Sequence, residues 1–142
     1  HDIGFLMVGS GRDESKFKKA SEDLDNVYFA GQVENIGDYL NAFDVFIFPS
    51  RHEGLGSTLL DAIDFGLPVI ARCVGGIPDI IEHGENGYLV SGEAPDFLTP
   101  LIELYSDVST RDEMSEKNRK KSDQFSIERM TESYISLYNQ YL

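Results

Sequence analysis

The sequence predicts an α/β domain built on a doubly wound parallel sheet and followed by C-terminal helices. Short apolar runs rich in β-formers alternate with longer segments of helical period up to Val90. This alternation is typical of parallel strands joined by helical crossovers. After Val90 only helical patterns follow. One predicted strand, Val45–Phe48, is apolar at every position, as expected of a strand covered on both faces.

The predicted elements follow from these runs and from the turn residues between them. The strands are Ile3–Val8, Val27–Phe29, Val45–Phe48, Val69–Ala71 and Gly87–Val90. The helices between them lie near Asp13–Leu24, Ile36–Phe43, Ser57–Phe65 and Ile77–Glu82. The C-terminal helices are Asp96–Tyr105, Thr110–Ser122 and Ile127–Leu142.

The last predicted helix begins after Ser126, a suitable N-cap residue, and is amphipathic. Its apolar face includes Ile127, Met130 and Tyr134. That face packs either on its own domain or on a partner domain outside this sequence, and the pattern does not choose between them. In the second case, residues 126–142 form a crossover helix. Because the chain opens at His1 without a methionine, we expect a fragment of a longer protein.

Composition and charge exclude several classes of protein. The 142 residues carry 12 Lys plus Arg against 25 Asp plus Glu, a formal net charge of -13. This balance argues against binding of nucleic acid or of an anionic membrane through bulk charge. The single cysteine, Cys73, builds neither a disulfide framework nor a cysteine-based zinc site, and we expect its side chain to be small and buried. No apolar stretch approaches the ~20 residues of a membrane helix.

The loop after Val45–Phe48 is where we expect the chemistry, because open parallel sheets bind ligands at the carboxyl ends of their strands. It reads Pro49-Ser50-Arg51-His52-Glu53-Gly54-Leu55-Gly56-Ser57-Thr58 and leads into a helix. Gly54 and Gly56 allow a ligand to approach the backbone closely. The N–H groups that open the helix attract a phosphate. The alternative is that these glycines only shape a tight turn.

Two carboxylates flank this helix start. Glu53 lies in the loop, and Asp61 follows Ser57 by four residues, roughly 6 Å along the helix. These acids suit a ligand with hydroxyl groups on either side of a phosphate, although Asp61 alternatively only compensates the charge of the helix start. The buried face of the helix is predicted to carry Leu59, Ala62 and Ile63, opposite Ser57, Asp61 and Asp64.

Six short blocks occur in an order that carries a family resemblance. They are Pro49-Ser50, Glu53-Gly54-Leu55-Gly56, Leu60-Asp61-Ala62, Gly66-Leu67-Pro68-Val69-Ile70-Ala71, Gly75-Gly76-Ile77-Pro78-Asp79 and Asn86-Gly87-Tyr88-Leu89-Val90. Together they resemble the donor-binding C-terminal domain of the family 4 glycosyltransferases of GT-B fold. Earlier segments, Leu6–Gly11 and Phe29–Val33, resemble that domain as well, so the match covers residues 3 to 91 closely.

The resemblance implies that residues 1–142 are one donor-binding domain, the Rossmann-like half of a GT-B enzyme. Such an enzyme is a retaining hexosyltransferase that uses a UDP-, GDP- or ADP-sugar and requires neither metal nor cofactor. The N-terminal acceptor domain and the first part of this domain are then absent, and the isolated fragment is expected to be inactive. The acceptor is open, with a saccharide or lipid-linked saccharide among the candidates. We expect a cytoplasmic location, and leave peripheral association with the inner membrane surface open.

The same resemblance assigns roles to site residues. The first acid of the family's E-x7-E motif matches Glu53, the catalytic residue that contacts the donor sugar. The second matches Asp61, which contacts the ribose and is one methylene shorter than the usual Glu. Val33 packs on the nucleobase beside Gly31. The backbone along the sugar and diphosphate is that of Gly54, Leu55, Gly56, Ser57 and Thr58.

Three further residues are candidates for the donor site, and each has an alternative role. The family's basic G-R-L…K-G element would precede the first strand and is missing, so Arg51 is a candidate source of positive charge. Its alternative is a solvent-facing position. Gly75 and Gly76 either approach the donor or only allow a turn.

Rival classes of protein lack their motifs. Gly9-Ser10-Gly11 follows a strand, but a dinucleotide-binding G-x-G-x-x-G motif requires glycine where Glu14 stands. No P-loop sequence occurs. Two alternatives stay open: a noncatalytic module that binds a nucleotide sugar, and a GT-B nucleotide-sugar epimerase. The spacing of Glu53 and Asp61 favours the transferase over the epimerase.

Overall fold

The computed structural model describes residues 2–141, which form two compact units divided between Ala42 and Phe43. The first unit holds β1 (Phe5–Val8), α1 (Glu14–Ala20), β2 (Val27–Gly31) and α2 (Ile36–Leu40). β1 and β2 pair in parallel, with Phe5 opposite Val27 and a register shift after Met7. This pairing agrees with the predicted parallel crossover.

The second unit is built on a parallel three-stranded sheet whose central strand, β4 (Val69–Arg72), lies between β3 (Phe46–Phe48) and β5 (Gly87–Val90). A short 3₁₀ turn at Ala94–Phe97 follows the last strand, and a second at Asp123–Phe125 lies between the last two helices. The elements of the second unit are β3 (Phe46–Phe48), α3 (Ser57–Asp64), β4 (Val69–Arg72), α4 (Ile77–Ile80), β5 (Gly87–Val90), α5 (Leu98–Ser106), α6 (Val108–Ser122) and α7 (Ile127–Asn139).

The order and type of the predicted elements are confirmed, and the differences lie at their ends. The largest is at the first helix, which ends at Ala20 and not at Leu24. The hydroxyl of Ser21 donates to the carbonyl of Phe17 at 3.0 Å and contacts that of Lys18 at 3.3 Å. Because this side chain takes up carbonyls of the last turn, it stops the helix. The predicted end of the last helix, Leu142, lies outside the described residues.

Helices cover both faces of the second unit's sheet, as a doubly wound arrangement requires. Successive side chains of β4 point to opposite faces. Val69 and Ala71 join one buried cluster with residues of α3 and α4, among them Leu59 and Ile77. Ile70 joins the other cluster, whose remaining members include Val90, Phe97, Leu104 and Met114.

The strand that is buried on both faces is β4, and the prediction for Val45–Phe48 is correct only in part. Phe46 and Phe48 pack against one cluster, and Val45 and Ile47 against the other. All four side chains nevertheless stay half-buried. Within the second unit, β3 is an edge strand, so its side chains have a neighbouring strand of that unit on one side only.

The prediction that Cys73 is buried is wrong, because its side chain is exposed. The amide of Cys73 still donates to the carbonyl of Val90 at 2.9 Å, which extends the pairing of β4 with β5. The strand itself ends one residue earlier, at Arg72. Past that end, Cys73 lies in the connection to α4 and is no longer covered by the helices that bury Ala71.

The last helix, α7, begins as predicted, with the hydroxyl of Ser126 accepting a hydrogen bond from the amide of Arg129 at 3.3 Å. No residue of α7 is buried within the described chain. Its apolar face is exposed throughout, with 73% exposure at Ile127 and 66% at Tyr138. Among residues 2–141, no helix combines the length and the apolarity needed to cross a bilayer.

Candidate functional site

Most of the predicted site residues lie on one continuous stretch of the second unit. This stretch is residues 49–56, called here the Glu53 loop, together with the first two turns of α3. β3 ends at Phe48, so the Glu53 loop leaves the sheet at its carboxyl edge, where ligands of such sheets bind. Glu53 is half-buried, whereas Gly54 and Leu55 are exposed. Glu53 is therefore partly covered, and the turn that follows it faces solvent.

The start of α3 is set by Gly56, the N-cap residue. Gly56 adopts a left-handed conformation with φ of 79°, which favours glycine because other residues place their Cβ in conflict with the backbone. Gly56 has no side chain, so no capping side chain accepts a hydrogen bond from the N–H groups of the first turn. Ser57 and Thr58, at the first two positions, are exposed. This helix start has the donors and the dipole that favour an anion.

The predicted faces of α3 are confirmed. Leu59, Ala62 and Ile63 are buried, while Ser57, Asp61 and Asp64 are exposed. The first turn of α3 contains no acidic residue, because Asp61 lies beyond it. Interaction with the helix dipole falls off within the first turn. This position therefore weakens the interpretation that Asp61 only compensates the charge of the helix start.

Gly75 and Gly76 pack against the backbone of the Glu53 loop. The amide of Gly76 donates to the carbonyl of Gly54 at 2.7 Å. A Cβ atom added to Gly75, whose φ is 55°, would stand 2.0 Å from the carbonyl oxygen of Glu53. One added to Gly76 would stand 2.8 Å from that of Gly54. The close approach that requires these glycines is therefore to the backbone of the loop.

Arg51 forms an ion pair with Glu93 on the surface. Its guanidinium Nη2 lies 3.0 Å from Oε2 of Glu93, and both side chains are 70% exposed. Glu93, 42 residues further along the chain, was not predicted as the partner of Arg51. Since such exposed pairs contribute little to stability, this contact leaves Arg51 free to exchange partners.

A residue that the sequence analysis missed, Arg72, touches the site from the end of β4. Its Nε donates to the carbonyl of Pro49 at 3.4 Å, and its Nη1 to that of Gly92 at 2.5 Å. The side chain is only 12% exposed. One feature of the sequence could have pointed to Arg72: Arg51 and Arg72 are the only arginines or lysines between Ser21 and Ser109.

The other two predicted donor residues, Gly31 and Val33, belong to the first unit. Gly31 ends β2 with φ of 69°, and its carbonyl accepts the amide of Gly9 at 2.7 Å. Val33 is half-buried two residues further on. Their assignment to the nucleobase stays a prediction.

Comparison with known proteins identifies the family. The family model described as "Glycosyl transferases group 1" matches residues 1–107. N-acetyl-alpha-D-glucosaminyl L-malate synthase of Bacillus anthracis is 32% identical over 142 residues, which cover 96% of this chain and 37% of that protein. Sulfoquinovosyl transferase SQD2 of Arabidopsis thaliana is 36% identical over 127 residues, covering 84% of this chain and 24% of the relative.

Solved structures show the same fold. Anabaena HepE in complex with UDP matches with a TM-score of 0.86 at 20% identity, over 97% of this chain and 41% of its own. A TarM variant of S. aureus in complex with fondaparinux, alpha-GlcNAc-glycerol and UDP matches with a TM-score of 0.85 at 27% identity, over 96% and 29%. The chain spans only 37%, 39% and 40% of three of its curated relatives. Since the family model covers well over half of the sequence, the chain belongs to the glycosyl transferases of group 1.

Proposed function

We propose that this chain is the donor-binding domain of a retaining family 4 glycosyltransferase that moves a hexose from a nucleotide sugar to an acceptor hydroxyl without a metal ion. In this reaction the bond from the anomeric carbon to the diphosphate breaks, and the acceptor oxygen forms a new bond to that carbon. The acceptor proton is released. The observation that carries the proposal is the start of α3 at Gly56, with Glu53 before it and Asp61 after it.

The start of α3 holds the diphosphate of the donor. The backbone from Gly54 to Thr58 lies along the sugar and the diphosphate, and the helix dipole favours the negative charge that develops on the leaving group. These groups are fixed before the reaction, so they stabilise that charge without reorganisation. Arg51 is free to leave Glu93 and add positive charge at the same place.

The two carboxylates hold the hydroxyl groups on either side of the diphosphate. Glu53 contacts the donor sugar and orients its anomeric carbon, and Asp61 accepts hydrogen bonds from the ribose. A small shift of the helix or of the ribose compensates for the missing methylene of Asp61. Gly31 and Val33 contact the nucleobase, an assignment that rests on the family resemblance.

The complete transferase includes polypeptide outside this sequence. The acceptor domain brings the acceptor hydroxyl to the donor and excludes water when the enzyme closes. The acceptor is a saccharide or a lipid-linked saccharide, and the enzyme is cytoplasmic. The exposed apolar face of α7 is the part of this chain that crosses to the acceptor domain, which supplies the cover that the described residues do not give it.

Titration of the chain with UDP, GDP and ADP, followed by backbone NMR, tests donor binding. We expect the largest shifts at Gly54, Gly56, Ser57 and Thr58. The start of α6 is the internal control, because the carboxylate of Asp107 already caps it by accepting the amide of Thr110 at 3.2 Å and repels an anion. Shifts confined to residues outside 31–35, the Glu53 loop and α3 would refute the site.

Turnover is tested in the complete transferase. Glu53→Gln keeps the size of the side chain but removes its charge, so we expect transfer to fall sharply while nucleoside diphosphate binding persists. Treatment with EDTA is expected to leave the rate unchanged. Donor binding without transfer by the wild-type enzyme would instead indicate the noncatalytic module.

A further inference from the structure

We infer that Arg72 is a positioning residue, which fixes the first residue of the Glu53 loop and thereby sets the orientation of Glu53. The inference deepens the proposed function and rests on it. It starts from the contacts of the guanidinium group, which donates to the carbonyl of Pro49 before Glu53 and to that of Gly92 after β5. Because β4 lies between β3 and β5, Arg72 links the chain segments that leave all three strands.

The side chain of Arg72 is also held in place by neighbours outside the Glu53 loop. Arg72 follows Ile70 on the same face of β4, and its guanidinium carbon lies 5.8 Å from the ring centre of Phe97, a member of the same cluster. Its Nη2 is 4.0 Å from the carboxylate of Glu93. A side chain with 12% exposure and these neighbours is a rigid support.

The Glu53 loop is thus attached on both sides of Glu53, to the last residue of β4 and to the connection that follows it. Arg72 holds Pro49, four residues before Glu53, and the amide of Gly76 holds Gly54, the next residue. Release of the first attachment removes the Arg72 hydrogen bond at Pro49, so the hydrogen bond from Gly76 to Gly54 is the one of the two that remains beside Glu53. Its carboxylate then samples positions away from the reacting carbon, and a displacement of about 1 Å can reduce a rate by about 100-fold.

Lysine cannot replace this arginine. A guanidinium group carries five N–H donors in a planar fork, so it reaches carbonyls on two sides at once. An ammonium group keeps the positive charge but lacks that fork. Arg72→Lys therefore separates the role of geometry from the role of charge.

The experiment measures kcat and the donor KM of the complete transferase for Arg72→Lys, Glu53→Gln and the double variant. We expect Arg72→Lys to lower kcat on the order of tenfold or more, with little change in KM. In the Glu53→Gln background the same substitution is expected to have no further effect, because Arg72 acts through Glu53. A merely structural role lowers kcat equally in both backgrounds and would overturn the inference.

Arg111→Lys is the matched control, since Arg111 also holds backbone carbonyls, those of Leu104 and Tyr105, but at the end of α5. It is expected to leave kcat at the wild-type value. A second measurement follows the backbone amide resonances of Glu53 and Gly54 in both variants. We expect these resonances to move in Arg72→Lys and to stay in place in Arg111→Lys.

The outcomes distinguish the two hypotheses. If Glu53→Gln lowers kcat but Arg72→Lys changes neither kcat nor the amide resonances, the role of Arg72 is refuted and the proposed function stands. If Glu53→Gln leaves kcat unchanged, the proposed role of Glu53 is refuted. In that case the amide resonances decide by themselves whether Arg72 holds the loop.

Discussion

The backbone N–H of Gly76 donates a hydrogen bond of 2.7 Å to the carbonyl of Gly54. These residues lie on different crossovers of the sheet, one after β4 and the other after β3. The Glu53 loop therefore packs on the Gly75-Gly76 turn, and it also accepts a hydrogen bond from Arg72. The conformation of the loop after β3 thus depends on the residues at and after the end of β4.

Substitution of Gly75 should disturb the loop through sterics. The Cβ of Gly75→Ala would stand 2.0 Å from the carbonyl oxygen of Glu53, in addition to the cost of alanine at a φ of 55°. Gly84→Ala is the control, because its φ is 82° but nothing lies within 4 Å. We expect Gly84→Ala to cost about 1–2 kcal/mol and Gly75→Ala clearly more. Thermal unfolding and nucleoside diphosphate affinity measure both; equal losses in the two variants would contradict the contact.

Asp61 should matter for the nucleoside through its charge. If its carboxylate accepts ribose hydroxyls, Asp61→Asn should weaken UDP, GDP or ADP binding by about tenfold or more, since hydrogen bonds to charged groups are among the strong ones. Asp64→Asn, on the same exposed side of α3, is the control and should bind normally. A 2′-deoxynucleotide should bind more weakly to the wild-type chain and show a smaller difference with Asp61→Asn. Equal affinities across these calorimetric titrations would remove Asp61 from the site.

The amides of Asn86 and Asn118 form a buried network that should dominate local stability. The amide nitrogen of Asn86 donates to Oδ1 of Asn118 at 2.8 Å, while that of Asn118 donates to the carbonyls of Leu67 at 2.7 Å and Asn86 at 2.9 Å. Asn118→Ala removes the donor from the buried carbonyls of Leu67 and Asn86 and leaves the amide nitrogen of Asn86 with Ile80 as its acceptor, so we expect a loss on the order of 2 to 4 kcal/mol in denaturant unfolding. Asn139 is exposed, so Asn139→Ala should change the free energy of unfolding little. A loss no larger than that of the control would show that water replaces the network.

Tyr88 should titrate above the ordinary pH range of a tyrosine side chain. Burial, the hydrogen bond to Glu103 and the charges of Glu103 and Asp107 raise the pKa of Tyr88 from 10.0 to about 12. Between these pH values the unfolded chain loses the phenol proton while the folded chain keeps it, so stability falls as pH rises. Phenolate absorbance measures the titration, and Tyr88→Phe assigns it.

Glu103→Gln should lower the pKa of Tyr88 toward its ordinary value, because it removes the nearest charge. Glu116→Gln on α6 also removes one negative charge, which faces Lys120 at 3.9 Å, and should leave the pKa of Tyr88 unchanged. If the titration lost in Tyr88→Phe lies at the ordinary pH of tyrosine, the raised pKa is wrong.

The sequence by itself determined the order of strands and helices and the faces of α3. These features depend on local periodicity and on turn residues, so Leu59 and Ile63 could be placed in the core and Asp61 on the surface from spacing alone. The helix start at Gly56 was also predictable, because a glycine-rich turn between a strand and a helical pattern is a local signal. Ser126 was recognised as an N-cap for the same reason.

Only the tertiary structure decided which residues support the site. The contacts of Gly75 with Glu53 and of Arg72 with Pro49 join segments about 20 residues apart, and adjacent strands of a parallel sheet always place a whole crossover between such partners. The exposure of Cys73 and the half-burial of β3 depend likewise on where a strand ends and whether another strand lies beside it. The local sequence pattern shows whether a segment forms a helix or a strand and which of its faces is apolar. Packing across the sheet decides which other segments it contacts.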